Sequence, residues 1–287
     1  MSKTTYSVAQ TNASTTTFRA WGKALSDALE AMGFIKTADT GQIDWTAVNV
    51  PGVGTYAGYE IRRLSDTLQA TTPVYAKIEY GTGSSATYPK MRITVGRAVD
   101  GAGNLVGITG TAITFGGGIQ SATNYDCYVS GGEGYIMFAL YVTSPTATHP
   151  QLFYLARPRD ANGTLNAHGI NIVGQTGGAT FYHQWLPEVG SPIPYTTAGG
   201  PFCAGPKAGT GSYGSTVGVF PIFTNMGYAA HPDGIGIAVF AADIGAGGQV
   251  ISVSVFGASH DFISCGVGST GFINGNTAAS SLLLRWE

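Results

Sequence analysis

The sequence predicts an all-β, antiparallel fold of sandwich or jelly-roll type in two lobes, preceded by one amphipathic helix. Three observations predict it. From about residue 42 onward, apolar and polar residues alternate with a period of two in short runs. Glycine, at 43 of 287 residues, punctuates those runs at roughly twice its usual frequency. Only one segment, ending at Gly33, holds a 3.6-residue period beyond two turns.

Residues 1–15 are rich in Ser, Thr, Asn and Gln and almost without apolar anchors. They predict an extended arm, mobile in an isolated subunit and ordered where a neighbour's edge strand holds it. Residues 16–33 predict the helix: Phe18, Trp21, Leu25, Ala28, Leu29 and Met32 share one face, while Arg19, Lys23, Ser26, Asp27 and Glu30 occupy the other. Gly33 supplies the left-handed residue that ends it. The apolar face is the expected docking or packing surface, with Phe18, Trp21, Leu25, Leu29 and Met32 as its site residues.

The strands follow. Val74, Ala76, Ile78 and Tyr80 alternate with Tyr75, Lys77 and Glu79, a half-buried strand whose partner is the run Met91, Ile93, Val95. Further strands are predicted over 58–64, 135–142, 152–156, 169–173, 217–224, 235–241, 249–256 and 281–286. Asp100 to Asn104 and Asp160 to Gly163 carry turn chemistry and are expected at hairpin tips. Residues 174–216 include Pro187, Pro192, Pro194, Pro201 and Pro206, which predicts a long irregular excursion. Since about 100 residues suffice for one sandwich, the expected lobes are 42–146 and 147–287. No fixed-period repeat suggests a propeller or a β-helix.

Fourteen Lys and Arg against sixteen Asp and Glu give a net charge of −2, so no basic field exists for a nucleic-acid backbone. Charged residues are 10% of the chain against about 25% ordinarily, while 44% are hydrophobic. A chain so poor in charge is expected to bury surface against neighbours. Cys127, Cys203 and Cys265 are odd in number and share no short spacing, so buried thiols are expected rather than a disulfide framework. Without an apolar leader or a run of about 18 apolar residues, neither secretion nor membrane insertion is expected, and the chain is expected to fold in a cytoplasm.

Candidate chemistry is sparse. The strings Gly209 to Gly214 and Gly266 to Gly271 fit GxGxxG but open no amphipathic helix. Ser259, His260 and Asp261 are neighbours along one predicted strand, where side chains alternate in direction and cannot act in relay. His149, His168, His183, His231 and His260 have no metal-ligand spacing. Glu60, Glu79, Asp126, Glu133, Glu188, Asp233, Asp243 and Asp261 include no selectable pair for glycoside hydrolysis. Asp160 to Gly163 begins like a calcium loop but lacks the later Glu. No catalytic, cofactor or metal residue is therefore expected.

Several segments carry a resemblance. Pro73-Val74-Tyr75-Ala76-Lys77-Ile78-Glu79-Tyr80-Gly81, then Ile93-Thr94-Val95-Gly96 and Asp100-Gly101-Ala102-Gly103-Asn104-Leu105, resemble virion structural proteins of tailed bacteriophages. Phe153 to Gly163 and Phe256 to His260 are similar to segments of the same group. The resemblance spans about half the chain, is strongest over 56–107, and is one of texture rather than of a diagnostic motif. It implies a β-rich, non-enzymatic component of tail, neck, baseplate or capsid surface. Its implied partners are copies of itself and other virion proteins, joined through the arm and helix; its implied location is the virion, after synthesis in the bacterial host cytoplasm. The alternative is a receptor-binding module that takes a host-surface glycan on its Tyr and Trp side chains, and a polysaccharide depolymerase stands behind it.

Overall fold

A computed structural model describes residues 2–9, 14–83, 89–116, 124–140, 151–159, 164–176, 181–197, 219–221, 237–240, 250–255, 258–268 and 280–286. They form antiparallel sheets with a single helix near the N-terminus, so the chain is all-β.

Strand β1 (Ser2–Ala9) comes first, then helix α1 (Thr15–Ala31). Ser14 caps the helix, accepting from the Thr17 amide at 3.2 Å while the Thr17 hydroxyl engages the Ser14 backbone. Gly33, at φ +84°, ends it as the sequence implies. An eight-residue strand of about 27 Å matches a seventeen-residue helix of about 25 Å, and α1 lies against β1.

A meander follows: β2 (Phe34–Lys36), β3 (Tyr56–Leu64), β4 (Tyr75–Thr82), β5 (Pro89–Val99) and β6 (Leu105–Thr109) are neighbours in that order, and β7 (Ile113–Gly116) also pairs with β5. Register places Glu79 opposite Arg92 and Ile78 opposite Ile93. The turn from β5 to β6 is the one expected at Asp100 to Asn104. Asp100 Oδ1 accepts from the amides of Ala102 and Asn104, and Gly101 and Gly103 take positive φ. The second expected turn, Asp160 to Gly163, lies outside the described residues.

Strands β8 (Asn124–Gly132), β9 (Tyr135–Leu140), β10 (Gln151–Ala156), β11 (Gly169–Thr176), β12 (Phe181–Pro187) and β13 (Ile193–Thr197) form a second meander. β1 completes it as a seventh strand beside β8, with Tyr6 opposite Cys127. The arm expected to await a neighbour is thus paired within its own chain: an extended backbone needs only an open edge, and β8 supplies one. The excursion expected over 174–216 is regular sheet through β13. Pro194 stands in the edge strand, where a missing N–H is tolerated; residues 198–216 lie outside the described ones. The division expected at residue 146 falls between β9 and β10, which are paired neighbours, Phe138 opposite Phe153.

The last sheet contains β14 (Val219–Pro221), β15 (Ile237–Phe240), β16 (Val250–Val255), β17 (Ala258–Gly268) and β18 (Ser280–Arg285), in the order β14-β15-β18-β17-β16. β15 returns beside β18 across the β16-β17-β18 meander, a Greek-key arrangement, and β1 beside β8 is the crossover of the seven-stranded sheet.

One core joins α1 to the first two sheets. Phe18, Trp21, Leu25 and Leu29 meet Ala76, Ile78 and Tyr80 from β4, and the core continues through Ile113 and Phe115 to Phe138, Phe153 and Ile172. Phe115 stands edge-on to Phe153 with centroids 6.1 Å apart. Polar rivets add to it: Gln184 exchanges two hydrogen bonds of 2.8 Å with the Thr111 backbone, and Gln151 accepts from the Gly116 amide. Trp286, after β18, packs edge-on against Tyr128 of β8. The two meanders face each other in a sandwich-like arrangement closed at one side by the helix.

Candidate functional site

The described charges converge at three joins between elements. The largest is beneath α1. On β3, Glu60, Arg62 and Leu64 share one face, and that face lies under the helix. Glu60 is 0% and Arg62 1% exposed. Ser26 Oγ, Trp45 Nε1 and Lys36 Nζ reach Glu60 Oε1 at 2.7, 3.1 and 3.4 Å. Arg62 Nε and the Tyr80 hydroxyl donate to Oε2 at 3.0 and 2.9 Å.

Arg62 is equally saturated. Its Nη1 donates to Glu30 Oε2 and to the Phe34 carbonyl, and its Nη2 to the Ser26 carbonyl and hydroxyl. With Nε, all five guanidinium hydrogens have acceptors. Burial pushes the Glu60 carboxyl up, but the Arg62 guanidinium, the Ser26 hydroxyl and Lys36 outweigh it and hold the group below its ordinary value. Burial and then the Glu60 charge push the Tyr80 phenol well above its usual range. This carboxylate is an anchor, already committed to donors on α1, β2, β3, β4 and the segment carrying Trp45. The Trp45 ring stands edge-on to Tyr80 with centroids 4.9 Å apart.

The second join is Arg157, just past β10. Its Nε donates to Asp66 Oδ2 at 2.7 Å, and Nη2 to the Thr72 carbonyl at 2.8 Å; both charged side chains are fully buried. Asp66 Oδ1 accepts from the Leu68 amide, so one carboxylate shapes the turn after β3 and holds it against the other sheet.

Arg97 makes the third, donating from β5 to the carbonyls of Leu186 and Pro187 at the end of β12. Burial, with Arg157 nearby, lowers its pKa to about 10. Its Nη1 is buried without a hydrogen-bond partner among the described residues.

On the outer face of β3 to β5, Lys90 and Arg92 lie over the Tyr56 ring at 4.8 and 4.7 Å, and Lys77 lies over Tyr59 at 4.2 Å. The Tyr59 hydroxyl donates to the Thr40 carbonyl, and Arg92 pairs with Glu79. These rings are covered by cations rather than presented as bare stacking platforms.

Of the residues expected to dock the helix on a neighbour, Phe18, Trp21, Leu25, Leu29 and Met32 are all packed inside their own chain. The opposite face is used as well: Ser26 and Glu30 hold Arg62, and Arg19 donates to the carbonyls of Ala47 and Val48. Among the candidate carboxylates, Glu60 and Glu79 are paired as above. Glu133 lies 3.9 Å from Arg159, Glu188 4.0 Å from His168, and Asp261 accepts from the Ser252 hydroxyl. Asp126 lies on β8; Asp233 and Asp243 fall outside the described residues. Ser259, His260 and Asp261 are consecutive on β17, and His183 is on β12, while His149 and His231 are not described. Cys127 is buried on β8, Cys265 lies on β17, and Cys203 is not described. Among the described residues no three His, Cys, Asp or Glu gather as a metal site, and no helix is long and apolar enough to cross a membrane.

No protein-family model matches the chain, and no curated protein matches its sequence.

Proposed function

We propose that the chain is a non-enzymatic structural subunit of a tailed-phage virion, docking on copies of itself or on other virion proteins through its N-terminal strand. The observation that carries this reading is the position of β1. Eight N-terminal residues, most of them polar, form the edge of a seven-stranded sheet and, among the described residues, have their outer backbone edge open for pairing. The resemblance of residues 73–105 to virion proteins and the low charge of the chain support it. So does the use of buried charge: Glu60 with its donors on α1, β2 and β4, and Asp66 with Arg157, join separate elements into one body.

Docking through the apolar face of α1 is dropped from the proposal, because that face is consumed by the core. The test is incorporation. A chain lacking residues 2–9 and purified as folded protein is expected to be depleted from particles in competition with the full chain. Equal incorporation would remove β1 as the docking element. Saturable binding on a glycan array, lost on substitution of an exposed aromatic residue, would favour the receptor-binding alternative. Release of product from host polysaccharide, abolished by one carboxylate substitution, would favour a depolymerase.

A further inference from the structure

Sheet edges invite pairing with other chains, and proteins blunt them by shortness, proline, a lysine or a local kink. Apart from β1, whose edge is assigned above to docking, the described edges of this chain carry such devices with one exception. β2 has three residues; β14 has three and ends in Pro221; β13 contains Pro194; β6 contains Gly107 at φ +77°; β7 has four residues and ends in Gly116 at φ +97°. β16 is the exception. Among the described residues it ends the five-stranded sheet with β17 as its one paired neighbour, and its sequence Val250-Ile251-Ser252-Val253-Ser254-Val255 has no proline, glycine or charge. Val250 is 52% exposed and Ser252 is exposed. An uncharged six-residue edge with four Val or Ile residues has the composition of strands that pair between chains.

We infer that β16 is a self-association edge, at which two copies of the chain join antiparallel about a two-fold axis through Val253. The strand's own sequence selects a second copy as the occupant. A two-fold antiparallel pair sets residues of one sheet face opposite each other, and the order of β16 then decides the register. Centred on Val253, the register puts Val253 opposite Val253, Ile251 opposite Val255, and Ser252 opposite Ser254. Aliphatic residues meet aliphatic residues and hydroxyl residues meet hydroxyl residues, the cross-strand combinations that stabilise sheets. Centred on Ser252 instead, the register sets Val250 against Ser254 and loses that match. No charge is brought against its own kind, and two-fold pairing is the commonest closed symmetry. Two five-stranded sheets become one continuous sheet, and each copy covers the other's open edge. The inference stands apart from the virion reading, since it requires only this strand.

The test uses the full chain in solution. Sedimentation velocity in the micromolar range is expected to show a dimer, and S252K made together with D261N, so that the neighbouring Asp261 cannot neutralise the two ammonium groups placed diagonally across the axis, is expected to weaken it at least tenfold. On mild oxidation V253C is expected to give a disulfide-linked dimer beyond any seen with the unsubstituted chain. V250C is expected not to, because this register separates the two residues 250 by about 20 Å, far beyond disulfide reach. A monomer throughout, a dimer indifferent to S252K with D261N, or equal cross-linking of V250C and V253C would overturn the proposal. Circular dichroism of each variant separates loss of pairing from loss of fold, and the S252K and D261N double variant decides the matter if V253C does not fold.

Discussion

The Trp45 ring fills the space beside Gly22, on the helix face where a methyl group would overlap it. Trp45 cannot yield easily, since its Nε1 is tied to Glu60 and its ring packs between Phe18 and Tyr80. Alanine is ordinarily the better helix former by about 1 kcal/mol, yet overpacking a core costs about 1 to 3 kcal/mol. G22A is therefore expected to lower the melting temperature. A variant melting higher than the parent would show that the ring has room to move.

Glu60 makes a prediction with a sign. Its pKa in the folded chain is depressed, so its stabilising contribution is complete above the ordinary carboxylate value and is lost as pH falls through the lower folded value. E60Q should flatten the acid side of the stability profile and, by leaving buried Arg62 with the half-exposed Glu30 as its remaining carboxylate, cost up to about 3 kcal/mol near neutrality. Urea unfolding at several pH values reads both effects; a variant with the parent's acid slope would contradict the assignment.

Arg157 and Asp66 should behave as a unit. R157M leaves a fully buried carboxylate without its cation and is expected to cost about 3 to 5 kcal/mol, whereas adding D66N should recover part of that loss. Additive losses in the double variant would mean the two side chains act independently.

The arm offers a test of intrachain pairing. Deleting residues 2–9 uncovers the β8 edge, on which Cys127, Tyr128, Val129 and Ser130 are buried. The expected loss is roughly 1 kcal/mol or more, from the hydrogen bonds of the ladder. Slow amide exchange in β1 of the full chain should accompany it. Exchange at random-coil rates throughout residues 2–9 would show that the arm is not held by its own sheet.

Much of this architecture is legible in the residues, for reasons that differ by element. α1 reads directly, because Phe18, Trp21, Leu25 and Leu29 recur at helical spacing and Gly33 marks the end. β4 and β5 read from strict alternation. β1 does not, because Thr and Ser on both faces leave no apolar period and its order comes from a ladder with residues more than a hundred positions away. β12 and β13 are hidden by Pro187, Pro192 and Pro194, which bound or edge the strands instead of breaking them. Glu60 and Arg62 are the least legible. Alternation places them on one face, but charge argues for solvent, and only the converging donors of Ser26, Trp45, Lys36 and Tyr80 turn that face inward.

The central claim is that the chain is a built-in component of a virus particle, and quantitative mass spectrometry of purified virions tests it most directly. Particles banded from cells carrying the chain in its own genomic setting should contain it at a fixed copy number relative to the major capsid protein, resistant to salt washing and visible by labelling at one position. Its absence from banded particles, with the protein recovered only in the soluble lysate, would contradict the claim.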